Sequence, residues 1–252
     1  MKKKLIEIYN YRAMIASLIR RDLRGRYKGS VLGFAWTFLN PLLQLVVYTI
    51  VFSNIMRSGI EDYYLFLFVA LIPWLFFSTS ITGGSNCIMA QKNLVEKIYF
   101  PREVLPISLV TASLVNMLLS FLVVFAALII SGKGINILLL PYLVPIIIVE
   151  YLLALGLTFI FSALTVYFRD LEHILGIVTM AWQFLSPVMY SVDMVPDDMI
   201  GIFMLNPMTP IIIAYRDVLY YQKAPDLKTL LTATCLGVAL LIVGWFMFGR
   251  LQ

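Results

Sequence analysis

Charge is scarce in this 252-residue chain: 13% of its residues are charged and 61% are hydrophobic. A soluble domain is about half apolar, so this excess excludes an ordinary soluble fold and points to a membrane protein. Histidine is nearly absent. His173 stands alone, which leaves a histidine metal cluster or a catalytic triad poorly supplied. Cysteine is limited to Cys87 and Cys235, both in or beside apolar segments. That argues against a disulfide framework and for buried thiols. The string Ser131-Gly132-Lys133-Gly134 lacks the first glycine and the final Ser or Thr of a phosphate loop. The basic, polar first thirty residues do not read as a signal peptide. No internal repeat with paired broken helices suggests an ion-coupled carrier. Power for uphill transport must then come from another chain or from an ion gradient.

What the chain does have is long apolar runs. With about 20 residues needed per crossing, six spans are expected. They run from Leu32 to Met56, Tyr63 to Thr82, Pro106 to Ser131, Leu138 to Tyr167, Ile174 to Tyr190 and Leu230 to Phe248. With the amino terminus inside, fourteen Lys and Arg residues fall on inner segments and five on outer ones: Arg57, Lys133, Arg216, Lys223 and Lys228. Nine of the fourteen precede the first span. The positive-inside rule therefore predicts both termini in the cytoplasm. The polar island from Lys92 to Pro106 and the loop at Arg169 and Asp170 share that side. The segment from Ser191 to Thr229 faces outward. The net charge of +5 thus reads as topology, with no nucleic-acid partner implied.

Between Tyr11 and Lys28 the apolar residues Met14, Ile15, Leu18, Ile19 and Leu23 recur at helical spacing among arginines. This predicts an amphipathic helix in the inner interface. Pro41, inside the first span, frees the carbonyl of Thr37 and predicts a kink, with Asn40 beside it to meet a freed group or line a polar path. Pro187 is expected to do the same to Gln183 in the fifth span. The aromatic residues of these spans serve either as packing and interfacial belts or as the wall of a sugar path. Glu150 is the one acidic residue well inside a span; it either reaches the outer interface or pairs with Tyr or Arg groups, and no proton relay is expected of it. Asp193, Asp197 and Asp198 read as a solvated loop.

In the island, Pro101 disfavours helix at Phe100, and Pro106 suits the first turn of the next helix. The reading is a short helix from about Asn93, a break, then span three. Leu94, Val95, Ile98, Tyr99 and Phe100 offer an apolar centre with Glu96, Lys97, Arg102 and Glu103 around it, either a docking patch or a loop buried against the protein's own helices.

Several motifs in order resemble one family. They are Arg26-Tyr27-Lys28-Gly29-Ser30-Val31-Leu32-Gly33 with Trp36 and Asn40-Pro41; Asn93-Leu94-Val95 through Phe100-Pro101-Arg102-Glu103 and Pro106; Tyr167-Phe168-Arg169-Asp170-Leu171; Ser186-Pro187-Val188-Met189-Tyr190; Asn206-Pro207-Met208; and Tyr215-Arg216. The chain resembles the membrane permease of bacterial ABC-2 type polysaccharide exporters, the O-antigen, capsule and teichoic acid transporters. The resemblance implies an all-α membrane protein in one domain over 1–252: a cytoplasmic interface segment 1–30 and a six-span bundle 31–250. It implies a homodimer in the bacterial inner membrane with two separate ABC ATPase subunits, and no cofactor in this chain, since ATP and Mg would bind the partner.

The same resemblance implies roles for residues. Asn93, Leu94, Val95, Glu96, Lys97, Ile98, Tyr99, Phe100, Pro101 and Arg102 would be the coupling and gate helix. Arg20, Arg21, Arg24, Arg26 and Lys28 would receive the diphosphate head of a lipid-linked polysaccharide. Trp36, Phe38, Asn40, Tyr48, Phe52, Phe184 and Tyr190 are candidates to line its channel, with Arg169 and Asp170 in the second cytoplasmic loop. Asp193 to Tyr221 would form re-entrant helices at the outer mouth. An ABC-2 exporter of drugs or small lipids and a membrane-embedded enzyme of glycan or lipid assembly remain as alternatives.

Overall fold

The computed structural model describes residues 2–25, 29, 31–55 and 59–251, which hold helices and turns and no strand. Two short helices open the chain, α1 (Lys2–Asn10) and α2 (Arg12–Gly25). Helix α2 turns Leu18 inward and leaves Arg20, Arg21 and Arg24 exposed, as its apolar spacing dictates. Arg26 and Lys28 lie outside the described residues.

Helix α3 (Trp36–Thr49) is prefaced by a 3-10 turn at Gly33–Ala35 and continued by a wide turn at Ile50–Ile55. Helix α4 (Tyr63–Ser85) is apolar on every face and is the centre of the bundle, touching α3 and four later helices; such a helix is stable only when enclosed. A short α5 (Lys92–Lys97) precedes the long α6 (Val104–Ile130). Helix α7 (Leu143–Tyr167) keeps Pro145 in its first turn, where no amide donor is lost. Then come α8 (Leu171–Phe184), α9 (Asp197–Leu205), α10 (Met208–Leu219) and α11 (Leu227–Leu251).

Five segments among the described residues are long and apolar enough to cross a membrane: Gly33–Ser53, Tyr63–Ser85, Val104–Ile130, Leu140–Tyr167 and Leu227–Leu251. They match expected spans one to four and six. The helix at the fifth position, α8, has 14 residues, about 21 Å of helix against a hydrocarbon core of about 30 Å. It ends at Phe184, so Pro187 is not a kink inside it. Proline holds the residue before it away from helical geometry, and the amide of Ser186 instead closes a turn on the carbonyl of Gln183 at 3.4 Å. A bent pair follows: α9 and α10 meet at 100° across Asn206-Pro207, and together they are apolar enough to count as a broken span or a re-entrant loop.

Contacts sort the chain into two ends. At one end, Lys4 Nζ meets Glu103 Oε1 at 2.7 Å, Tyr11 Oη donates to Tyr99 O, and Tyr167 Oη donates to Leu251 O. At the other, Tyr63 Oη donates to Met189 O, Tyr220 Oη to Glu61 O and Gln222 Nε2 to Lys133 O. The amino-terminal helices, α5, the α7–α8 loop and the end of α11 therefore share one face of the bundle, the end rich in Lys and Arg.

The tightest helix pair is α7 with α11, and glycine makes it possible. A Cβ added at Gly156 would sit 2.6 Å from Leu241 N, and one at Gly244 would overlap the carbonyl of Gly156. Small residues on facing helices let backbones touch where no hydrophobic effect drives association.

Candidate functional site

The polar island is a helix and a strap. Helix α5 ends at Lys97, and Ile98 turns to extended geometry with its amide still bonded to Leu94 O at 3.1 Å. The strap runs through Phe100-Pro101 into the start of α6. Phe100 is 6% exposed and packs with Leu18, Cys87, Val104 and Leu105, a small apolar cluster separate from the main core. Leu94 and Val95 lean on the same cluster beside Tyr11 and beside Met14 and Ile15 of α2. The amphipathic helix is therefore a brace under the island, fastened further by the Lys4–Glu103 ion pair and the bond from Tyr11 to Tyr99 O.

This brace divides the expected apolar patch. Of its five members only Ile98 (53% exposed) and Tyr99 (85%) face outward. Phe100 is buried, and Leu94 and Val95 are half-buried against α2. Around the exposed pair stand the exposed Asn93, Glu96, Lys97 and Arg102, with Pro101 half-buried. Arg169 and Asp170 are exposed in the α7–α8 loop.

The candidate path residues do not form one wall. Trp36 and Asn40 line a single cavity between α3, α4 and α6. Phe38 meets Phe34 edge to face, and Phe52 stacks on Tyr63 at 6.2 Å. Tyr48 packs against the main core. Phe184 is exposed, while Tyr190 turns its hydroxyl back to Phe184 O at 2.9 Å and its ring toward Phe203.

Pro41 frees the carbonyl of Thr37, and the group that meets it comes from the neighbouring helix. Ser120 Oγ lies 3.4 Å from Thr37 O and 3.0 Å from Asn116 O. Asn40 instead accepts from Gln44 Nε2 at 3.3 Å.

At the opposite end, the segment after α8 is irregular yet its carbonyls are met in turn. Tyr190 Oη takes Phe184 O, Asn206 Nδ2 takes Leu185 O, and the amide of Val188 takes Ser186 O. Arg216 Nη1 takes Pro187 O at 2.5 Å and Tyr190 O at 3.1 Å, and its Nη2 takes Val188 O at 2.7 Å. Tyr63 Oη takes Met189 O at 2.7 Å. Buried carbonyls need such partners, and irregular backbone at membrane depth persists only when protein supplies them. Arg216 itself is 3% exposed with its guanidinium carbon 3.5 Å over the Phe66 ring. The sequence places Arg216 among the outer charges and in the Tyr215-Arg216 motif, but does not announce this clamp. The signal was its place within the apolar run Met208–Leu219, where an ionisable residue needs a reason.

Glu150 is fully buried and accepts from Tyr215 Oη at 2.7 Å. It pairs with tyrosine and does not reach an interface. Ser131-Gly132-Lys133-Gly134 caps the end of α6 and follows it: Gly132 and Gly134 have φ of 82° and 70°, and the Gly134 amide returns to Leu128 O. Only glycine adopts such geometry cheaply. Lys133 then reaches Asp62 at 3.5 Å.

These elements make a polytopic helical bundle with the bent pair α9–α10 at one end and a braced strap at the other, basic end. The family of ABC-2 type transporters matches residues 14–220, and this chain belongs to it. The O-antigen export system permease protein RfbA of Myxococcus xanthus is 37% identical over 93% of this chain and 91% of its own length. The protein of the same name from Klebsiella pneumoniae is 31% identical, over 95% and 92%. The polysialic acid transport protein KpsM of Escherichia coli is 24% identical, over 81% and 80%.

Proposed function

We propose that this chain is the membrane permease of an ATP-driven exporter that carries a lipid-linked cell-surface polysaccharide out of the bacterial cytoplasm. The observation that carries the reading is the near full-length likeness to O-antigen export permeases. The braced strap supports it, because an element that receives force needs a stiff mounting. In this reading two copies pair in the inner membrane with both termini cytoplasmic, and two ABC ATPase subunits dock below and bind Mg-ATP. Ile98 and Tyr99, exposed on a fixed base, take the ATPase stroke, with Arg169 and Asp170 of the second loop beside the same partner. Phe100-Pro101 passes the stroke to α6. Arg20, Arg21 and Arg24 meet the diphosphate head, since guanidinium groups pair with phosphate in bidentate fashion. The bent pair α9–α10 closes the outer mouth as a re-entrant element.

The test is deletion and capture. Cells lacking the chain should lose surface polysaccharide and accumulate the lipid-linked polymer inside, and the tagged chain should co-purify with an ABC ATPase. Unchanged surface polysaccharide, with no polymer trapped, refutes the transporter reading.

A further inference from the structure

We propose that the apolar groove where α1, α6, α7 and α11 meet holds one acyl chain of an anionic phospholipid, whose phosphate lies on Arg250 and Lys4 at the basic end of the bundle. Such a site does not depend on what the bundle carries. The groove has a volume of about 450 Å³. Ile8 of α1, Ile107 of α6, Leu155 and Phe159 of α7, and Trp245 and Phe246 of α11 line it, with no charged side chain among its walls. Phe159 is fully buried behind it and meets Trp245 edge to face at 5.6 Å. On the rim, Ile242 and Phe246 are 48% and 56% exposed, so the groove opens sideways out of the bundle. Protein interiors are close-packed, and an unfilled hollow forfeits the dispersion contacts of its walls. An apolar cavity of about 150 Å³ already takes up benzene. Beside a helix apolar enough to cross a membrane, the filler at hand is hydrocarbon.

Every lipid has a chain to fill the groove, so the headgroup must supply the selection. Arg250 lies one helical turn beyond Phe246 on the same face of α11 and is exposed. Lys4 stands one turn from Ile8 on the same face of α1. A Cβ added at Gly249 would lie 3.7 Å from Lys4 Nζ, so both cations reach the last turn of α11. Lys4 pairs with Glu103, yet its ammonium has further donors and its side chain is 43% exposed. On α1 and at the adjoining ends of α6 and α11, Lys2, Lys3, Lys4 and Arg250 outnumber Glu7 and Glu103. Guanidinium and ammonium groups take phosphate oxygens, and basic pockets between membrane helices take anionic headgroups. A second copy docked here about a twofold axis would set Arg250 against its own counterpart, whereas a lipid phosphate neutralises it.

Trp245 reports on the groove directly. The full chain is placed in phosphatidylcholine vesicles that carry a rising fraction of phosphatidylglycerol or of phosphatidylcholine brominated on its acyl chains, and bromine quenches a tryptophan that it touches. Trp245 is one of four tryptophans, and its share is the wild-type signal less that of Trp245→Phe. Half-quenching of Trp245 is expected at a mole fraction roughly 3- to 10-fold lower for the brominated phosphatidylglycerol. Arg250→Gln, a change at an exposed position, should bring the two lipids together, while Arg250→Lys should keep the preference. Ile242→Phe, which narrows the groove from its rim, should weaken quenching by both. Equal quenching of the wild type by the two lipids would mean ordinary boundary lipid and overturns the site. No quenching by either would mean that protein, such as a second copy, covers the groove, and overturns it too. A preference that survives Arg250→Gln removes the headgroup from Arg250. Relief of quenching by the lipid-linked polymer at a lower mole fraction than by unlabelled phosphatidylglycerol would give the groove to that lipid instead. The wild-type comparison decides alone if a variant fails to fold.

Discussion

Arg216 donates from Nη2 to the carbonyl of Val188 at 2.7 Å, joining α10 to the irregular segment after α8. The same guanidinium holds the carbonyls of Pro187 and Tyr190. Few side chains could do this. Arginine presents five N–H donors in a fixed plane and is less strongly hydrated than lysine, so it can be buried against several carbonyls at once. The clamp explains how α8 can stop after 14 residues. The chain finishes its course, away from the basic end, as a strap whose polar groups are satisfied by α4, α9–α10 and itself.

Arg216→Lys should therefore destabilise the protein although it keeps the charge. A single ammonium cannot reach all three carbonyls, and those left bare stay buried. Two lost charge-assisted hydrogen bonds correspond to about 3 kcal/mol. Thermal melting of the purified protein in detergent should show a clear drop, while Lys228→Met, at an exposed position, should show little. Equal melting of Arg216→Lys and wild type would contradict the clamp.

The fold was legible where hydrophobicity alone decides it. Expected spans two, three and four reappear within a few residues as Tyr63–Ser85, Val104–Ile130 and Leu140–Tyr167, because run length and polar punctuation set their ends. The fifth was misjudged at Pro187, since an apolar strap and an apolar helix have the same composition. They differ only in who meets the carbonyls, and those partners sit far away at Tyr63, Asn206 and Arg216. Phe100 shows the same limit. Its apolar character was plain, but its burial depends on a brace of α2 that lies more than seventy residues earlier. Thr37 shows it a third time: Pro41 announced a freed carbonyl, while Ser120 on a distant helix answers it.

The α7–α11 seam predicts a steep response to one methyl group. Gly244→Ala would press its Cβ into the carbonyl of Gly156, and overpacking of this kind costs about 1–3 kcal/mol. Gly249→Ala lies on the same helix, where a Cβ would meet only Lys4 Nζ at 3.7 Å. Melting in detergent should fall for Gly244→Ala and stay near wild type for Gly249→Ala, or rise slightly because alanine favours helix. Equal effects at the two positions would mean that helix propensity, not close approach, governs α11.

The strap at the basic end predicts a division between neighbours in sequence. Ile98 and Tyr99 are exposed and Phe100 is buried against Leu18 and Val104. Substituting Ile98 and Tyr99 together by serine removes apolar surface that touches little of the chain itself. Melting should stay within about 0.5 kcal/mol of wild type, as for other surface changes, while recovery of the ATPase subunit with the purified chain should fall. Phe100→Ser should behave the other way: loss of a buried aromatic ring costs about 3 kcal/mol or more, and the α2 brace should loosen, read as faster proteolysis near Gly25. Reversing both charges at Glu96 and Lys97 with Pro101→Ala leaves the apolar anchors in place. ATP hydrolysis should then continue while export stops, because the subunit still docks but the link into α6 no longer transmits its stroke. Full export by that triple variant would remove the coupling role from the strap, and undiminished ATPase recovery with Ile98→Ser and Tyr99→Ser would move the docking surface elsewhere, with Arg169 and Asp170 in the exposed α7–α8 loop as the next place to look.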